Sequence, residues 1–186
     1  MEAGHSVAPK NQSFETADID EKSIRKEKPE DLVMVLAEAK ADAIMTRLES
    51  SDKLEKVSRP TLLITADTVV VYQGNIREKP SDEEEARQFI RDYSGGSAKV
   101  VGSVLVTNLA TGSRRGGWES AEVYFLDIPD EVVDSLIEEG IIFNVAGGLM
   151  LEHPLTLPLV ETVVGTADCV MGLSKTLTEK LIQDAL

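Results

Sequence analysis

Four ionisable residues, Glu21, Lys40, Asp67 and Lys79, occupy positions where the surrounding pattern favours apolar or neutral side chains. Asp67 stands in "ITADTVVVYQGNIREKP", between two apolar β-branched runs, with Lys79-Pro80 following the second run. A carboxylate beside a strand core is costly to desolvate, so it needs a turn that exposes it or partners that use its charge. Singly, each residue has an ordinary structural role. Glu21, in "DIDEK", suits a solvated loop, Asp67 a turn, and Lys79 the surface ahead of a helix, while the Lys40 stem can pack with its head in water. Together they suit metal-dependent cleavage of a phosphoanhydride, in which hard oxygen ligands hold Mg²⁺ or Mn²⁺ and lysines balance the remaining phosphate charge. A unit charge pair at ~4 Å is worth roughly 4 kcal/mol near a protein surface, so two lysines in contact can outweigh a distant, salt-screened acidic surface.

The elements that must position these residues are readable in outline. "EKPEDLVMVLAEAKADAIMTRLES" reads as a helix with Pro29, Glu30 and Asp31 in its first turn and an apolar stripe of Val33, Leu36, Ala37 and Ile44, on which Lys40 falls. "SSDKLEKVSRP" is a polar connection. "TLLITA" reads as a buried strand ended by Asp67, with strand character resuming in "TVVVY" before a Gly-containing turn at "QGN". "KPSDEEEARQFIRDYSGG" is a second helix, expected to be capped by Ser81 with Glu84 and stopped by Gly95 and Gly96. Two long strands joined by a Gly-rich turn follow, then a short helix between Pro129 and Gly140, a glycine-hinged loop "VAGGLMLEHP", a strand in "LPLVETVVG", and a final helix "SKTLTEKLIQDAL". Helices alternating with strands predict an α/β sandwich around a mixed, twisted sheet.

With 186 residues, 42% hydrophobic and 28% charged, the chain is long enough for one well-packed domain spanning 1–186. A formal net charge of −14 argues against nucleic-acid duplexes, whose affinity depends on Lys and Arg neutralising phosphates. A small phosphorylated ligand held by a few local cations is compatible with it. One cysteine, Cys169, makes no internal disulfide, no apolar run nears the ~20 residues of a membrane span, and the first residues lack a leader pattern, so a cytoplasmic location is expected. His5, His153 and Cys169 form no metal-ligand pattern, and Trp118, Tyr124 and Phe125 are expected to pack in the core.

"DIDEK" with Glu21, "PEDLVMVLAEAKA" with Lys40, "ADTVV" with Asp67, "EKP" with Lys79, and "AGG" at 146–148, in this order and spacing from about Thr16 to the C-terminus, resemble the Maf-like nucleotide pyrophosphatases. The resemblance implies two α/β lobes with a central cleft, akin to the inosine triphosphate pyrophosphatases. It also implies hydrolysis of a nucleoside triphosphate between the α and β phosphates. By the same resemblance Asp67 would be the general base, Glu21 and Asp67 would associate with a divalent metal (Mg²⁺ or Mn²⁺), and Lys40 and Lys79 would contact the triphosphate.

Two features bear on activity and substrate. Relatives begin with a strand and a Ser-x-Ser-x-x-Arg-Arg or Lys loop that cradles phosphate, whereas "MEAGHSVAPKNQSF" does not match it, so residues 1–15 read as a divergent or shortened N-terminus. Losing that strand would expose a sheet edge and favour a homodimer, and losing the loop leaves a weakly active or regulatory nucleotide-binding homologue as the alternative. Thr68, after the catalytic acid, follows the pattern of relatives preferring dTTP and UTP. Glu152, after the glycine pair, follows that of relatives preferring 7-methylguanosine triphosphate.

Overall fold

The computed structural model describes residues 17–50 and 61–186. Residues 1–15, where a divergent or shortened N-terminus was expected, and most of the connection "SSDKLEKVSRP" lie outside the described residues. A 3-10 turn at Glu21–Ser23 precedes helix α1 (Pro29–Ser50). Strand β1 (Leu62–Tyr72), β2 (Asn75–Arg77) and helix α2 (Glu83–Tyr93) follow. The long hairpin β3 (Ser97–Asn108) and β4 (Arg114–Phe125) leads to α3 (Asp130–Glu139). Short 3-10 turns then connect to β5 (Val160–Val164), α4 (Ala167–Val170) and α5 (Lys175–Ala185). The sheet order is β2-β1-β3-β4-β5, and every pairing is antiparallel, where a mixed sheet was expected.

Period-two alternation along β3 divides the core between two faces. Val101 and Leu105 face α1, meeting Leu32, Val33 and Leu36 in one cluster and Ala37 and Ala41 in another. Val104 and Val106 face the opposite way, onto Leu181 and Ala185 of α5. Farther along that second face, Val70, Val100 and Val123 pack with Tyr93 of α2, Phe125 and Val170. The sheet is therefore covered on both sides, which gives the expected mixed α/β architecture.

Three local expectations change. β1 runs unbroken through Asp67, which pairs with Ser103 of β3. The strand therefore does not end there; the ion pair with Lys40 described below offsets part of the cost of a carboxylate at this position. The α2 cap is Asp82, whose side chain accepts from Glu85 N at 2.9 Å, while the Glu85 carboxylate accepts from Ser81 N at 2.7 Å. The cap thus sits one residue beyond the expected Ser81, and Glu85 rather than Glu84 reaches back, to the N–H of the residue before the cap. Phe125 is buried, but Trp118 is 47% exposed, against the expectation that it packs in the core.

Candidate active site

Two hydroxyls fix α1 against the sheet. Ser103 Oγ donates to Val33 O at 2.7 Å, and Thr65 Oγ1 donates to Ala37 O at 2.8 Å, one helical turn farther along. Buried hydrogen bonds of this kind are costly to break, so they hold the helix in both rotation and height over β1. Lys40, just beyond Ala37, is thereby aimed at Asp67. Its Nζ lies 2.5 Å from Asp67 Oδ1, 3.0 Å from Glu21 Oε1 and 3.4 Å from Ala66 O. Lys40 does not carry its charge out to water.

Lys79 arrives from the other side. Gln73 and Gly74 both adopt positive φ in the two-residue turn that folds β2 back on β1. Arg77 then anchors the strand, with its guanidinium 4.3 Å from the Tyr72 ring centre, 4.4 Å from Phe89 and paired to Asp92. Two residues on, Lys79 Nζ lies 3.3 Å from Glu21 Oε2. Lys79, Glu21, Lys40 and Asp67 thus form a chain of alternating charge. Exposure falls along it from 53% at Lys79 to 9% at Asp67, so the base candidate is the least hydrated member.

These groups line a cavity of about 270 Å³. Its charged side carries Glu21, Lys40, Asp67 and Lys79 together with Lys22 and Glu78; its apolar side is formed by Val145, Ala146, Leu149, Val170 and Met171. The apolar side is held by the glycine pair. Gly147, at φ +61°, donates its N–H to Glu78 O at 2.8 Å and accepts from Tyr93 Oη at 2.9 Å, and a Cβ there would lie 2.6 Å from Val70 Cβ. Only glycine fits that backbone so close to β1.

Burial pushes the Asp67 carboxyl up; Lys40 pulls it down but does not cancel the effect, so it stays above its usual value of 3.8. For Glu21 burial also raises, but Lys40 and Lys79 outweigh it and hold the carboxyl below 4.5. Burial would lower Lys40, yet Asp67 and Glu21 prevail and raise it, keeping the ammonium charged. The two acids are therefore driven apart, as expected of groups with different tasks.

The other site candidates divide. Thr68 lines the cavity, its hydroxyl directed at Gly102 and Gly172 on the sheet face opposite Asp67. Glu152 is exposed and is not part of the cavity lining, while the neighbouring His153 is buried and bonded through Nε2 to Glu139 at 2.8 Å. Lys22 and the apolar wall at Val145, Val170 and Met171 were not singled out from sequence. Lys22 shares the "DIDEK" motif with Glu21, which was the available signal.

The Maf-like protein family model matches residues 5–185. The chain belongs to the Maf-like protein family. A 7-methyl-GTP pyrophosphatase of Dictyostelium discoideum is 38% identical over 89% of this chain and 82% of the relative. A dTTP/UTP pyrophosphatase of Porphyromonas gingivalis is 32% identical over 78% and 68% of the two chains. A nucleoside triphosphate pyrophosphatase of Salinispora tropica is 27% identical over 89% and 71%. Within this Maf-like chain, the five sequence motifs are drawn into one neighbourhood: four supply the charged side of the cavity and "AGG" holds its apolar side.

Proposed function

We propose that this Maf-like protein is a nucleoside triphosphate pyrophosphatase, releasing a nucleoside monophosphate and pyrophosphate. The observation that carries the reading is the convergence of Asp67, Lys40, Glu21 and Lys79 at 2.5–3.3 Å on one side of a cavity whose other side is apolar. The charged side suits a polyphosphate and the apolar side suits a nucleobase. Asp67 takes a proton from water, the water oxygen bonds to phosphorus, and the α–β anhydride bond breaks with its electron pair leaving on pyrophosphate. Glu21 shares one negative charge between two ammonium groups, so Lys40 and Lys79 retain attraction for phosphate oxygens.

A divalent cation fits the same residues. Glu21 and Asp67 already converge on one cationic centre, the Lys40 ammonium, and a pair of carboxylates is what Mg²⁺ commonly uses when substrate phosphates supply further ligands. The cation would arrive with the substrate, since two carboxylates leave its remaining ligand positions to phosphate oxygens and water. Such a cation would supply Lewis-acid neutralisation of phosphate charge.

For the base, 7-methyl-GTP ranks ahead of dTTP and UTP in this proposal. Its support is the higher identity to the Dictyostelium relative; Glu152, exposed and outside the cavity lining, adds none. A homodimer and a cytoplasmic address complete the reading. The exposed apolar side chains Trp118, Val164 and Leu157 support the first, and a lone, buried cysteine supports the second. Among the described residues no helix is long and apolar enough to cross a membrane.

The test is turnover of a triphosphate panel with and without chelator. The expected result is highest kcat/KM on 7-methyl-GTP, loss of turnover in EDTA, and recovery with Mg²⁺ or Mn²⁺. Full activity in EDTA would remove the cation from the proposal.

A further inference from the structure

The cavity lining contains three lysines and three carboxylates, yet one of those lysines has no partner among the described residues. Lys40 spans Asp67 and Glu21, and Lys79 meets Glu21. Glu78 is engaged by Arg25 at 3.5 Å. Among the described residues Lys22 has no ion pair and no side-chain hydrogen bond, although it follows Glu21 directly on the 3-10 turn Glu21–Ser23. That turn is closed by Ile24 N donating to Glu21 O at 3.2 Å and by Ser23 Oγ donating to Asp20 O at 2.8 Å. The Lys22 backbone is therefore set beside the site while its ammonium stays exposed.

A lysine already paired to a carboxylate gains only the difference between two anionic partners when phosphate arrives. An unpaired one gains the whole contact, less the cost of ordering its side chain. We infer that Lys22 is a further substrate-binding residue, holding a phosphate group of the polyphosphate chain at the open side of the cavity and touching no part of the base. This rests on the triphosphate reading above. In that reading it is the cation best able to admit substrate without first breaking an internal ion pair.

Lys22→Ala and Lys22→Arg, assayed on 7-methyl-GTP, dTTP and UTP, test the inference. The alanine variant is expected to raise KM roughly three- to tenfold, by the same factor for each base, with kcat little changed. Arginine should recover most of the loss. Calorimetric titration with inorganic pyrophosphate and Mg²⁺ should show the alanine variant weakened by a similar factor. Unchanged KM and pyrophosphate affinity, or losses that differ from base to base, would overturn the role. If the wild-type protein turns over none of the triphosphates, the pyrophosphatase reading fails separately. The pyrophosphate titration then decides the Lys22 contact alone, weaker binding by Lys22→Ala supporting it and equal binding refuting it.

Discussion

Asp67→Asn is expected to lower kcat by roughly 10²- to 10⁴-fold, about 3–5 kcal/mol in barrier, while the protein remains folded. Asparagine keeps the shape of the side chain and a carbonyl oxygen for Lys40, but it cannot take a proton from water. The stability effect should run opposite to the activity effect. Burial raises the Asp67 carboxyl above its usual 3.8, so the folded state binds that proton more tightly than the unfolded chain. The contribution of Asp67 to stability is therefore greatest below 3.8 and declines as pH rises through the raised value. At neutral pH a neutral amide should be tolerated or mildly stabilising, and thermal melts will show whether it is. The same shift locates the acid limb of kcat/KM above the range of an ordinary aspartate, since turnover needs the ionised form. A wild-type acid limb in the ordinary aspartate range would show that burial does not govern the base.

Lys40→Met should impair both activity and stability. Among the described residues Lys40 alone pairs with both acids, at 2.5 Å and 3.0 Å, and it is only 19% exposed. Removing it leaves Asp67 and Glu21 facing one another without a shared cation. Breaking one side of a buried pair commonly costs roughly 3–5 kcal/mol; the partial exposure of Glu21 places this case near the lower end, at about 3 kcal/mol. Losing an ammonium that stabilises transferring phosphate should lower kcat by roughly 10²- to 10³-fold. Burial and Glu21 both raise Asp67, and the counteracting pull of Lys40 would be gone, so the acid limb should move to still higher pH. Denaturant melts at several pH values provide the check. The deficit should be largest where Asp67 is ionised and should shrink as acid protonates it. A deficit independent of pH would mean that lost packing, rather than unpaired charge, destabilises the variant.

The helical site element was legible because its signal is local. Pro29, the acids after it and the stripe at Val33, Leu36, Ala37 and Ile44 specify α1, and they place Lys40 on the buried side. The direction of the Lys40 head was not legible, because it depends on Ser103 and Thr65 gripping α1 carbonyls from two different strands. The course of β1 was misread for a related reason. An acid inside a strand is unfavourable until its partner Lys40, 27 residues away in sequence, is folded against it. The antiparallel pairing was equally hidden, since helices between strands suggest parallel crossovers, whereas the long β3–β4 hairpin sets the sheet's direction here. Trp118 shows the limit of strand alternation: it was expected in the core and is 47% exposed, although Ser103, paired with it across the sheet, is bonded to α1. "AGG" pointed to the cavity, but the reason for Gly147 is its contact with Val70 and Tyr93, which no local pattern reveals.

Quantifying every phosphorus-containing product from one nucleotide substrate tests the central claim most directly. With 7-methyl-GTP and Mg²⁺, the expected outcome is nucleoside monophosphate and pyrophosphate in equal amounts, with no diphosphate or orthophosphate. Tight nucleotide binding with the triphosphate left intact, or release of orthophosphate and diphosphate, would contradict it.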